Sequence, residues 1–168
     1  MGENSHKTPV IEKSYMEKIY KNCNEKLIYL KEKFKDYEYN DFCFDGNYYK
    51  NLVKRLNVKS GSNQFLNSLG TLGGGNHYIE FNEDEETDYI SIHSGSRYLG
   101  QAICNYHQDK IKTKIKNNIN YNKNDFLNNY LTNNECVEYL IDMIFAQEFA
   151  SHKKNNVVYY FTRIKYTI

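Results

Sequence analysis

The sequence predicts an α+β protein, a mixed sheet with flanking helices, and three observations carry that prediction. Apolar residues recur every three or four positions over 11–35 and 135–152, the spacing of amphipathic helices. Two short runs rich in β-branched and aromatic residues, HYIEF (77–81) and DYISIH (88–93), lie between those stretches. The resulting order is helix, strands, helices, with no repeat and no domain linker.

Each element has a local reason. Over 11–35, Met16, Ile19, Cys23, Leu27, Leu30 and Phe34 line up on one face, with Lys and Glu opposite. YEYNDFCFDGNYYKN is aromatic and loop-like, with a turn expected at Asp45-Gly46. Its aromatics could stack bases, although a satellite core is the stronger expectation. NYYKNLVKRLNV reads as a short helix, and KSGSNQFLNSLGTLGGG as a flexible or ligand-wrapping loop. The acidic NEDEETD suits a hairpin connection between the two strands. Antiparallel pairing would bring His77 and His93 to the same end of one sheet. A helix follows over 100–115 with Ile103, Tyr106 and Ile111 inward. Over 135–152, Val137, Leu140, Ile141, Ile144, Phe145 and Phe149 form the apolar stripe. The tail NNVVYYFTRIKYTI is apolar and β-prone, and as a strand it would be unpaired.

Composition narrows the function classes. A chain of 168 residues is expected to form one domain with a real core. A net charge of +1 gives no large field directed at nucleic acid or membrane. No apolar run reaches about 18 residues, so no membrane span is expected. MGENSHKTPVIEK lacks the apolar core of a secretory signal, and His6 breaks the myristoylation pattern after Gly2. Cys23, Cys43, Cys104 and Cys136 form no CxxC pair, so they read as reduced thiols of a cytoplasmic protein.

The chemistry concentrates where the glycines do. Of 9 glycines, four lie within GTLGGG (70–75) and two within HSGSRYLG (93–100). Consecutive glycines leave backbone N–H groups open to an anion, or simply allow a tight loop before a strand. The run is not a P-loop, since the Lys-Ser/Thr ending is missing, and Tyr78 breaks GxGxxG. His77 and His93 each flank a glycine-rich loop and are candidate metal ligands, since imidazole suits divalent cations such as Mn²⁺. Glu80 falls on the opposite face from His77 in a regular strand, so it is expected to contact a ligand across the strand, or only solvent. Arg97 offers a planar fork for phosphate beside Ser94 and Ser96. Ser96 is also a candidate helix cap, and the two roles are compatible. His107 and His152 are expected to be structural or exposed, Asp142 and Glu148 solvated.

Together, SLGTLGGGNHYIEF and ISIHSGSRYLGQAI resemble the paired signature of the RtcB-type RNA-splicing ligases. EYLIDMIFAQEFASHKKN resembles that family's following helix, whose end usually reads Asn-Arg rather than Lys-Lys. The resemblance covers 68–156 and implies a partial RtcB-like fold, a single incomplete domain over 1–168. It implies GTP- and Mn²⁺-dependent joining of RNA 2′,3′-cyclic phosphate or 3′-phosphate ends to 5′-hydroxyl ends, as in tRNA splicing and RNA repair. By the same resemblance, His77 and His93 are manganese ligands. Asn76, His77, Tyr78, Ile79 and Glu80 form the guanylate-binding stretch, with Tyr78 where phenylalanine is usual. Arg97 and Asn76 meet RNA phosphate, and Tyr98 stands where the family has glycine. The implied partners are RNA ends, GTP or GMP, no membrane, and a complementary fragment carrying the missing ligands. The family's Asp-x-x-Cys-Gly segment and its guanylylated histidine have no counterpart here, so no catalytic residue is assigned. The isolated chain is expected to be truncated and inactive. The alternatives are a non-catalytic GMP or RNA-phosphate-binding module and a decayed gene fragment.

Overall fold

The computed structural model describes residues 9–35, 41–58, 63–69, 71–83, 88–117 and 134–165, with side-chain surroundings given from 14 to 153 except 63 and 64. The elements are α1 (Pro9–Lys33), α2 (Gly46–Arg55), the single turn α3 (Asn63–Leu66), β1 (Tyr78–Glu83), β2 (Asp88–His93), α4 (Tyr98–Asn117) and α5 (Asn134–Lys165). The class is α+β, weighted toward helix. Among the described residues the sheet is one antiparallel hairpin.

The core lies where the helical stripes meet. Met16, Ile19, Cys23, Leu27 and Leu30 of α1 are buried, facing Val137, Ile141, Phe145 and Phe149 of α5. Phe34, Leu140 and Ile144 are partly buried at its margin, and Leu99, Ala102 and Ile103 of α4 close another side. Each fully buried side chain of this size contributes roughly 1.5–3 kcal/mol by leaving water. Tyr106 and Ile111 are half-buried, less inward than the spacing predicts.

The aromatic segment joins this main core rather than a satellite. Phe44 meets Tyr48 edge-on with centroids 4.8 Å apart, and Tyr48 meets Phe145 at 5.2 Å. Asn24 anchors the segment as a backbone mimic: Phe44 N donates to Asn24 Oδ1 at 2.7 Å and Asn24 Nδ2 donates to Phe44 O at 3.0 Å. Asp45 caps α2 rather than making a free turn, accepting from the amides of Asn47 (2.9 Å) and Tyr48 (2.8 Å). Residues 37–40 of this segment lie outside the described residues.

Three expectations are corrected. Asp142 and Glu148 are buried, not solvated. Asp142 accepts from Tyr48 Oη (3.0 Å), Arg55 (2.8 Å) and His107 Nε2 (2.8 Å), linking α2, α4 and α5. Arg55 and Lys110 also pair with Glu138. Burial pushes the Tyr48 phenol pKa well up, reinforced by the Asp142 charge. Glu148 lies 2.5 Å from Lys26 and accepts from Asn22 at 3.1 Å. Burial alone would raise its pKa, but those two partners hold it below the usual range. The tail through Lys165 is helical, not a strand. Residues 134–165 contain no glycine or proline, and a helix satisfies its backbone internally where a lone strand does not. Within KSGSNQFLNSLGTLGGG, read as a flexible or ligand-wrapping loop, residues 63–66 are helical, while 59–62 and 70 lie outside the described residues. Buried Phe65 pins α3, and Ser68 Oγ donates to Phe65 O at 2.7 Å.

Candidate functional site

The hairpin carries the site. Its register pairs Tyr78 with His93, Glu80 with Ser91, Phe81 with Ile90 and Asn82 with Tyr89. Paired residues share a face, so Tyr78, Glu80, Ser91 and His93 lie on one side and Ile79, Phe81, Ile90 and Ile92 on the other. Tyr78 stacks on His93 with centroids 5.3 Å apart and planes 12° from parallel. His77 precedes the first paired residue, so strand alternation does not set its side. Its ring lies 5.9 Å from that of His93, the convergence that antiparallel pairing predicts.

The glycine loop orients the first imidazole. His77 Nδ1 lies 2.7 Å from Gly74 O. A carbonyl only accepts, so Nδ1 carries the proton and Nε2 keeps its lone pair for a ligand. Gly73 and Gly75 have φ of +110° and +77°, values that favour glycine. A Cβ at Gly73 would stand 1.8 Å from an Arg97 guanidinium nitrogen, so the arginine lies directly against this backbone. Arg97 itself has φ of +58°, an uncommon strain for a residue with a side chain. It occupies the position before α4, and the Ser96 Oγ lies against Gly100 in the first turn of that helix.

Beneath the loops sits Lys153, fully buried. Its ammonium donates to Ser94 Oγ (3.1 Å), Gly95 O (3.3 Å) and Leu72 O (3.4 Å). Ser94 Oγ in turn donates to Leu72 O at 3.0 Å. One α5 side chain therefore ties the glycine loop to the HSGSR loop. Burial, with the nearby Arg97 charge, pulls its pKa down to about 8. Sequence reading missed this residue. Its signal was position: Lys153 continues the 137, 141, 145, 149 stripe by one more step of four.

Above the loops is an open cleft of about 570 Å³ lined by Gly74, His77, Ser96, Arg97, Tyr98 and Gln101. Asn76 and Glu80 are exposed and Ile79 is half-buried. Among the described residues no three His, Cys, Asp or Glu side chains converge as a metal set, so the imidazole pair is the available donor set. His107 and His152 stand apart from it. His107 is buried against Asp142, and Asn22 Nδ2 lies 3.3 Å from His152 Nε2. All four cysteines are free thiols. Burial raises the Cys23 pKa to about 12, helped by the Glu148 charge, which keeps that thiol protonated. No helix of the described residues is long and apolar enough to cross a membrane.

Fold and site define a helix-rich α+β protein that presents an imidazole pair and an arginine beside a glycine loop. The model of the tRNA-splicing ligase RtcB family matches residues 1–166, and the chain belongs to that family. It is similar to RNA-splicing ligase RtcB of Escherichia coli K12 and to RNA-splicing ligase RtcB1 of Escherichia coli ATCC 25922. Identity with each is 50% over 52 residues, covering 27% of this chain and 13% of the relative. The matched stretch thus spans about an eighth of those relatives' length. No solved structure matches.

Proposed function

We propose that this chain forms one wall of an RtcB-type RNA-ligase site within a single, incomplete ligase domain acting in the cytoplasm. In this reading His77 and His93 hold Mn²⁺, and Asn76 to Glu80 receive the guanylate of GTP. Arg97 and Asn76 receive the phosphate of an RNA end. The observation that carries it is that His77 lies beside both His93, ring to ring, and the Arg97 guanidinium, which meets it at Gly73. The donor set fits a divalent cation in part, since the Gly74 contact occupies His77 Nδ1 and leaves Nε2 as the ring nitrogen open to a ligand. A bound Mn²⁺ would supply charge to polarise phosphoryl oxygens. The chain's own residues then orient: Arg97 binds phosphate oxygens through its fork, and Gly73 lets the guanidinium close on the loop.

Joining a 2′,3′-cyclic phosphate or 3′-phosphate end to a 5′-hydroxyl needs further ligands and a guanylylated histidine. The isolated chain is therefore expected to bind but not ligate, with a complementary fragment completing the site. Incubation with labelled GTP and Mn²⁺ tests this. No covalent label should appear on the isolated chain, and a label stable to denaturation would refute the assignment. Non-covalent GMP binding at millimolar ligand, lost in Arg97→Ala, is the positive outcome. No binding at that concentration counts against both the wall and a purely binding role.

A further inference from the structure

We propose that Tyr98 is a stacking platform for the terminal base of a single-stranded RNA whose end phosphate meets Arg97. The inference rests on reading Arg97 as a phosphate contact, and it adds a base subsite to that contact. Tyr98 directly follows Arg97 and opens α4. Its ring lies against Phe65, with centroids 5.8 Å apart and planes 27° from parallel, and Phe65 is 1% exposed. One face of the tyrosine is therefore held on a fixed partner, while the side chain stays 46% exposed. A large aromatic ring left this open is anchored without being hidden.

Position decides between ligands. Tyr98 lines the cleft beside His77 and Arg97, and it also lines a second cleft of about 530 Å³ with Asn57, Asn105 and Tyr106. It is the residue those two clefts share. A mononucleotide needs only the first. A strand whose terminal phosphate sits on Arg97 meets Tyr98 next and has the second cleft for its preceding nucleotides, where amide side chains can meet base edges or sugar. Every base has a π-face, so such a platform is tolerant of sequence.

The test is fluorescence anisotropy with a 5′-labelled pentanucleotide ending in a 3′-phosphate, against the same strand with an abasic terminal sugar. Stacking of one base predicts that the wild-type chain prefers the base-bearing end by about 5- to 150-fold. Tyr98→Phe should keep the preference. Tyr98→Leu covers Phe65 without offering a flat ring and should bind the two strands equally, with its circular dichroism unchanged. Retained preference in Tyr98→Leu, or a lost one in Tyr98→Phe, overturns the platform. Equal binding of both strands by the wild type, still dependent on Arg97, overturns the platform while the phosphate reading stands. Binding of neither strand overturns that reading and the platform with it. If Tyr98→Leu loses affinity for GMP and keeps its preference between strands, the ring serves the mononucleotide and the RNA assignment is wrong.

Discussion

Replacing Asp142 with alanine should be among the most destabilising single changes in this chain. The carboxylate is fully buried, and three donors from α2 and α4 converge on it: Tyr48 Oη, Arg55 and His107 Nε2, at 2.8–3.0 Å. Its loss strands the Tyr48 hydroxyl and the His107 Nε2 proton, in a cluster where His107 Nδ1 and Arg55 Nε already lack partners. Leaving one buried polar group unmet costs about 1–3 kcal/mol. Breaking a buried charge pair from one side costs about 3–5 kcal/mol. Arg55 retains Glu138, which limits the damage on that side. The expected total is about 3–5 kcal/mol, or about 6–20 °C in Tm for a chain of this size. Asp142→Asn keeps the shape and one acceptor and should cost less, about 1.5–3 kcal/mol. Urea unfolding followed at 222 nm measures both. An Asp142→Ala chain within about 0.5 kcal/mol of wild type, the value of an ordinary surface change, would refute the buried hub.

Two further outcomes concern the loops. The folded pKa of Lys153, about 8, lies below its ordinary 10.5, so between those values the unfolded chain binds the extra proton. The penalty of burying the charged ammonium is complete below pH 8 and fades toward pH 10.5. Wild-type stability relative to Lys153→Met should therefore rise across that window, with the Cys23 and tyrosine titrations common to both chains. Urea midpoints at pH 7.5 and pH 10 check this, and a constant difference would contradict it. Gly73→Ala places a Cβ where the Arg97 guanidinium lies, at a φ of +110°. GMP affinity should fall by about tenfold or more, with a stability loss of about 1–3 kcal/mol, by calorimetry and urea melts. Unchanged affinity would show that Arg97 does not need this backbone.

What the sequence made legible was periodic or short-range. The stripes of α1 and α5 could be read because Ile19, Leu27, Phe145 and Phe149 recur at helical spacing and all are buried. The hairpin was legible from its two runs of β-branched and aromatic residues, and the nearness of His77 to His93 followed from its antiparallel sense. What failed was long-range polar pairing. Asp142 meets Arg55 across 87 residues and His107 across 35, and nothing local marks a charge that two other helices will satisfy. Lys153 escaped for a related reason. A lysine at the end of a stripe looks like a solvated terminus until the loops that supply its acceptors are in place. The tail misled through residue type: Val157, Val158, Tyr159 and Tyr160 favour strands, but the helix already running through 134–153 carries on through them.

If His77 and His93 are two manganese ligands on one wall, Mn²⁺ titrated into the chain will bind through both. Free Mn²⁺ is followed by its electron paramagnetic resonance signal, in wild type, His77→Ala, His93→Ala and Arg97→Ala. Weak wild-type binding should disappear with either histidine and persist without the arginine. Mn²⁺ binding in His77→Ala and His93→Ala equal to that of the wild type, or none in the wild type at millimolar metal, would rule out the histidine pair as the metal site.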